Sequence, residues 1–211
     1  MNLCYNSFME LIKNILKKNE EQEQIDAFNY LYDRLKIGRH RNMSMQEYFD
    51  RQYKHNCYYY STYILMCMKP TDRLVRGNIH LGGENDFVSR IFNGGNKVPN
   101  FKHGWVEFEF NNKWWVYDDH YIYPILMEKW YNMKSPYEVY KKFTQSELIA
   151  YVKENFPDKV KEIKQGNKTF ISTEIITIKE YNLPLWWIDL EIENGEIVKF
   201  EQDKNMKECL C

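Results

Sequence analysis

Three residues have the types and spacing for nucleophilic chemistry: Cys57, His103 and Asp118. Cys57 heads the apolar segment CYYYSTYILMCM (57–68), which reads as a buried helix ended before Pro70. A thiol at a helix N-terminus feels the positive end of the macrodipole, which lowers its pKa and enriches thiolate. His103 lies at the start of the strand KHGWVEFEF (102–110), and Asp118 ends its partner KWWVYD (113–118). Between them Asn111-Asn112 is a two-residue hairpin signal. An imidazole beside a thiolate forms an ion pair with it and later returns a proton to a leaving group. A carboxylate behind the imidazole fixes its tautomer and orientation. Taken singly, such a cysteine is more often a small buried hydrophobe, such a histidine structural, and such an aspartate a turn residue. Helix start, strand start and partner-strand end together point to chemistry.

The hairpin register follows from the turn. With Asn111-Asn112 as its two residues, Phe110 faces Lys113, Glu107 faces Val116, Trp105 faces Asp118 and His103 faces His120. His103 and Asp118 then share a face as diagonal neighbours, with Cβ atoms ~7–8 Å apart, and Asp119 points the other way. A three-residue turn would exchange the two aspartates. For a tetrahedral oxyanion, the Cys57 N–H and the Gln52 side chain are the donor candidates, with Tyr53 or His55 in place of Gln52. Trp105 and His55 are candidates for a substrate cleft. Alternation nevertheless sends about half of the aromatics at 105, 114, 115, 117, 121 and 123 into a core.

The elements that must position these residues are legible in outline. Apolar spacing predicts helices over 3–17 and 20–36, the second stopped by Gly38. Ser44 with Glu47 fits a capping box for a short helix to about Arg51. RLVRGNIHL (73–81) reads as a strand ended by Gly82-Gly83, and 84–101 as a long connection. Helices are expected from Ser135, with Pro136 at the first helical position, and from Thr144 with Glu147. The region 170–201 is strand-rich, with Asn194-Gly195 marking a hairpin between IDLEIE and EIVKF. This is an α+β pattern. It is read as one domain over 1–211, with N-terminal helices (1–43), a catalytic core (44–120) and C-terminal helices and strands (121–211).

Composition narrows the function classes. A chain of 211 residues buries roughly 70% of its unfolded surface and needs no metal or disulfide to hold a core. With 6 Trp, 17 Tyr and 12 Phe it is not a disordered chain. Lys plus Arg (29) balance Asp plus Glu (30), which argues against a nucleic-acid partner. No apolar run approaches the ~20 residues of a membrane span, and the start lacks a signal-peptide core. Five cysteines without a regular framework fit a reduced compartment, so a cytoplasmic location is expected. Cys209-Leu210-Cys211 looks like a prenylated tail but reads as a frayed terminus. Neither zinc spacing nor a phosphate loop is present, so no metal and no cofactor is expected. His80 and His120 fit no metal pattern.

The stretch HGWVEFEFNNKWWVYD resembles the His–Asp hairpin of transglutaminase-like proteins, in which a histidine precedes an aromatic-Val-Glu strand, a tight turn, an aromatic strand and an aspartate. His103 lies 15 residues before Asp118 and 46 after Cys57, which suits that superfamily. RLVRGNIHL resembles the strand that follows its cysteine helix. The similarity covers about 44–120. It implies a papain-like fold, with the catalytic cysteine at a helix start packed on an antiparallel sheet. It also implies a cysteine-dependent hydrolase or acyltransferase, acting on an amide or acyl bond of a peptide or protein through a Cys57 thioester. Peptidase, deamidase and transglutaminase outcomes differ only in leaving group and acceptor. The chain departs from the pattern at Asn56, where the family often has Gly, and at Asp119, where an Asp-Pro pair is common. Arylamine acetyltransferases share the fold, but their Arg-Gly-Gly approach is absent from QYKHNC, and the Asp-Cys-Ser-Gly start of bacterial cell-wall peptidases is absent too. The alternative expectation is a non-catalytic binding or regulatory module on the same scaffold.

Overall fold

The computed structural model describes residues 2–35, 57–80, 100–118, 121, 123–134, 138–174, 176–178, 183–185 and 188–202. The chain opens with one continuous helix, α1 (Asn2–Leu35), where two helices were expected. The junction Lys17-Lys18-Asn19 contains neither Gly nor Pro, and strong helix formers on both sides carry the helix through. Its C-terminal half buries Ala27, Leu31 and Leu35 at helical spacing. Gly38 and the expected Ser44–Glu47 helix lie outside the described residues.

Helix α2 (Cys57–Cys67) starts and stops close to the expected bounds, and its residues from Ser61 onward are buried. The carbonyls at its C-terminal end, which no intrahelical donor reaches, are claimed by side chains from two other helices. Arg34 donates to Cys67 O (2.9 Å) and Met68 O (3.0 Å), and Gln145 Nε2 donates to Leu65 O and Met68 O at 2.8 Å each. Both donors are buried or half-buried, so these bonds fix the helix against α1 and the helix that begins at Gln145.

Strands β1 (Arg73–His80), β2 (Asn100–Phe110), β3 (Lys113–Tyr117), β4 (Ile125–Leu126) and β5 (Glu138–Phe143) form an antiparallel sheet in the order β4-β3-β2-β1-β5. Helix α3 (Met127–Lys134) follows β4, and α4 (Gln145–Asn155) follows β5. A helix from Ser135 is not what forms: 138–143 pairs with β1, bringing Phe143 into the core and Lys142 to Glu107. Tertiary pairing overrides the helix-start signals of Pro136 and Glu138. The Thr144 signal is realised as a reciprocal capping box, with Glu147 N donating to Thr144 Oγ1 and Thr144 N donating to Glu147 Oε2.

A second antiparallel sheet contains β6 (Val160–Gln165), β7 (Lys168–Thr173), β10 (Ile188–Glu193) and β11 (Glu196–Gln202), in the order β11-β10-β7-β6. It begins earlier than the expected 170, at a hairpin turning through Gly166. β8 (Ile176–Ile178) and β9 (Leu183–Leu185) pair separately. The expected Asn194-Gly195 hairpin joins β10 to β11, both turn residues having positive φ. The fold is thus mixed helix and antiparallel sheet.

Helix α2 lies between the sheets. One continuous core joins its buried Ile64–Met68 to Leu74, Val106, Phe108, Trp115 and Tyr117 of the first sheet and Ile171, Leu190 and Phe200 of the second. Tyr63 meets Phe200 edge-on at 4.7 Å between ring centroids. The opposite face of the first sheet carries a smaller core of Val75, Ile79, Trp105 and Val116 under Trp130 of α3. Among the described residues no helix is long and apolar enough to cross a membrane.

Candidate active site

The hairpin has the expected register. Asn111 and Asn112 both adopt left-handed φ (50° and 57°), as a type I′ turn requires, and Phe110 pairs with Lys113, Glu107 with Val116 and Val106 with Tyr117. Continuing it by one residue sets Asp118 opposite Trp105, diagonal to His103. The side chains close that diagonal: His103 Nε2 lies 2.9 Å from Asp118 Oδ1. His103 is fully buried and Asp118 almost so. A hydrogen bond to a carboxylate in such a site is strong, because water does not compete for it. It also commits Nε2 to Asp118, so any proton exchange with a third group passes through Nδ1.

Two further buried groups belong to this constellation: Trp130, which the sequence did not single out, and Trp105, which was expected at a substrate cleft. Trp130 of α3 donates its indole N–H to Asp118 Oδ2 at 2.9 Å. Both carboxylate oxygens therefore have a donor. Trp105 stacks near His103 (6.2 Å between centroids, 24° between planes) and contacts Trp130 at 4.6 Å. Trp105 is fully buried, so it forms the floor of the pair and not the wall of an open cleft. Gly77 sits opposite His103 in β1; a Cβ there would run into the Glu138 carbonyl and meet Trp105 at 3.0 Å. The bare backbone is what lets β5 and the indole close on the pair.

Two residues beyond Trp105 on the same face, Glu107 is fully buried and accepts from Tyr131 Oη (2.5 Å) and from Lys142 Nζ (2.8 and 2.9 Å), with Arg73 Nε 3.5 Å away. Burial raises the Tyr131 phenol pKa above its ordinary value, and the hydrogen bond to the Glu107 carboxylate adds to the rise. Consecutive residues of α3, Trp130 and Tyr131, thus reach the two buried carboxylates of this face.

Helix α2 packs against the other face. A Cβ on Gly104 would meet Ser61 Oγ at 2.9 Å and the Arg76 side chain at 3.4 Å, so Gly104 lets the helix approach β2 at this level. Cys57, the first residue of α2, lies one turn before Ser61 in sequence. Past the helix's other end, Asp72 accepts from Lys69 N (2.8 Å) and Glu109 N (3.0 Å). Burial raises the Asp72 carboxyl pKa above its usual range, and the two N–H donors oppose the rise. With Ser61 at Gly104 and Asp72 at Glu109, α2 runs alongside β2 in the same direction, its start level with the His103 end. Described pairing of β3 with β2 stops at Tyr117, so beyond that point β2 has no described partner on that side.

Gln52, His55, Asp119 and His120 lie outside the described residues. His80 ends β1 in register with Asn100, away from the His103–Asp118 bond. Cys67 is a fully buried thiol that forms no disulfide. Among the described residues no three His, Cys, Asp or Glu side chains converge as a metal site. No family model matches the chain, and neither does any curated protein or solved structure.

Proposed function

We propose that the chain is a cysteine-dependent hydrolase or acyltransferase with a transglutaminase-like site, using Cys57 as nucleophile, His103 as general acid and base and Asp118 as its orienting carboxylate. The observation that carries this reading is the buried 2.9 Å bond between His103 Nε2 and Asp118 Oδ1, on a strand beside a helix that opens at Cys57. With Nε2 held, the neutral ring keeps its proton there and presents Nδ1 as the base. Nδ1 takes the proton of the Cys57 thiol, and the thiolate attacks a carbonyl carbon of a peptide or protein amide, forming a C–S bond while the carbonyl electron pair moves to oxygen. Collapse breaks the C–N bond, and the imidazolium gives the departing amine its proton. His103 then takes a proton from water or an acceptor amine, which attacks the thioester and releases Cys57 as thiolate. The Cys57 N–H and Gln52 are the proposed oxyanion donors. No cofactor is required, and the proposed location is cytoplasmic.

The second reading, a non-catalytic binding or regulatory module, is favoured by one observation: α2 packs on the sheet face opposite His103 and Asp118. Labelling with iodoacetamide at pH 6 separates the two, since an unactivated thiol is almost wholly protonated there. Peptide mapping should find Cys57 modified ahead of Cys4, Cys67, Cys209 and Cys211, and His103→Ala should remove that preference. Equal labelling of all exposed cysteines, or preference for Cys67, contradicts the enzymatic reading.

A further inference from the structure

Asp118 is held from two sides: His103 Nε2 stands 2.9 Å from Oδ1, and the indole N–H of Trp130 points at Oδ2 from 2.9 Å. Trp130 is fully buried, wedged against Trp105 at 4.6 Å, and comes from a helix outside the hairpin. Its helix is anchored separately by Tyr131 on Glu107 and, at the surface, by Lys129 on Glu20 of α1 (2.7 Å). A donor on each oxygen fixes the plane of a carboxylate as well as its position. The indole supplies the second donor and also stabilises the negative charge in a site without competing water.

We propose that Trp130 is a positioning residue: its indole N–H fixes the Asp118 carboxylate in the orientation that keeps the His103 proton on Nε2 and leaves Nδ1 for the thiol. This rests on the reading of His103 and Asp118 as an acid–base pair, and it adds α3 to the site as the element that sets its geometry. Trp130 acts through Asp118 and touches no reacting atom. Trp130→Phe removes the donor together with the five-membered ring, so its combination with Asp118→Asn separates the lost hydrogen bond from the lost packing. Tyr131→Phe, one residue on, removes a donor to a different carboxylate and serves as the packing control.

The test reads the ring nitrogens of His103 by ¹⁵N NMR together with alkylation of Cys57 at pH 6. In the unaltered protein the neutral ring should show one tautomer with its proton on Nε2. Trp130→Phe should mix the tautomers and slow alkylation roughly threefold to thirtyfold, the scale of one lost hydrogen bond to a charge felt indirectly. Tyr131→Phe should leave the ring pattern unchanged, and adding Trp130→Phe to Asp118→Asn should slow alkylation no further. An unchanged ring pattern in Trp130→Phe, or an equal change in Tyr131→Phe, overturns the proposal. If Trp130→Phe fails to fold, the Trp130 indole N–H resonance decides: Asp118→Asn should move it, and an unmoved resonance overturns the proposal. Should Cys57 label no faster than the other cysteines while the ring pattern still responds to Trp130, the enzymatic reading fails and the positioning role stands.

Discussion

Replacing Asp118 by Asn keeps volume and removes charge, and the surrounding donors make the consequence calculable. Two N–H groups, His103 Nε2 and the Trp130 indole, converge on two carboxylate oxygens at 2.9 Å each. An asparagine has one accepting oxygen and one NH₂. If its oxygen stays with Trp130, the NH₂ faces Nε2 and drives the ring proton to Nδ1, which disables the proposed base. If it flips, the NH₂ opposes the indole N–H and strands a buried donor, at a cost of about 1–3 kcal/mol. In a serine triad the equivalent exchange costs about 10⁴ in turnover. A thiolate–imidazolium pair depends less on its third member, so a loss of roughly 10–10³ is expected here. Turnover on a generic amide or thioester, with circular dichroism and urea melts alongside, measures both parts. Asp119→Asn, on the face that the two-residue turn directs away from His103, should change turnover by less than about threefold. A damaging Asp119→Asn with a harmless Asp118→Asn would refute the facing argument. Harmlessness of both, with Cys57 and His103 essential, would reduce the site to a dyad.

Two other outcomes follow from contacts around the site. Gly104→Ala forces Ser61 or the start of α2 to move, since the new methyl would lie 2.9 Å from Ser61 Oγ. It should destabilise by about 1–3 kcal/mol and slow Cys57 alkylation, and Ser61→Ala in the same chain should restore much of both; thermal melts showing no loss would contradict the tight approach. Tyr131 has a folded-state pKa raised above its ordinary 10.0, so its contribution to stability is intact below about pH 10 and lost as pH rises through the folded value. Urea melts between pH 8 and 11 should therefore fall more steeply for the unaltered protein than for Tyr131→Phe, and parallel curves would contradict the buried phenol–carboxylate bond.

The hairpin was legible because its turn residues and alternation act over a few positions. Asn111 and Asn112 tolerate left-handed φ, and the two-residue turn then fixes every facing pair, including the diagonal from His103 to Asp118. The Thr144–Glu147 box and the Asn194-Gly195 turn were legible for the same local reason. What eluded the sequence depends on distant partners. Strand β5 has the start of a helix in its sequence, and only the open edge of β1 and the buried Glu107 make it a strand. Trp130 is twelve residues past Asp118 in a short helix, and nothing in WYNMK announces that its indole turns back to the carboxylate. Likewise, α2 could be placed on the sheet but not on one face of it, because that choice is made by Gly104 and Ser61 across the interface.

The most direct measurement of the central claim is the distance between Cys57 Sγ and His103 Nδ1 in a crystal structure of the protein with its thiols reduced. The two atoms are expected within about 4 Å of each other. A thiol held on the α2 face of the sheet, more than about 7 Å from the ring, would contradict it.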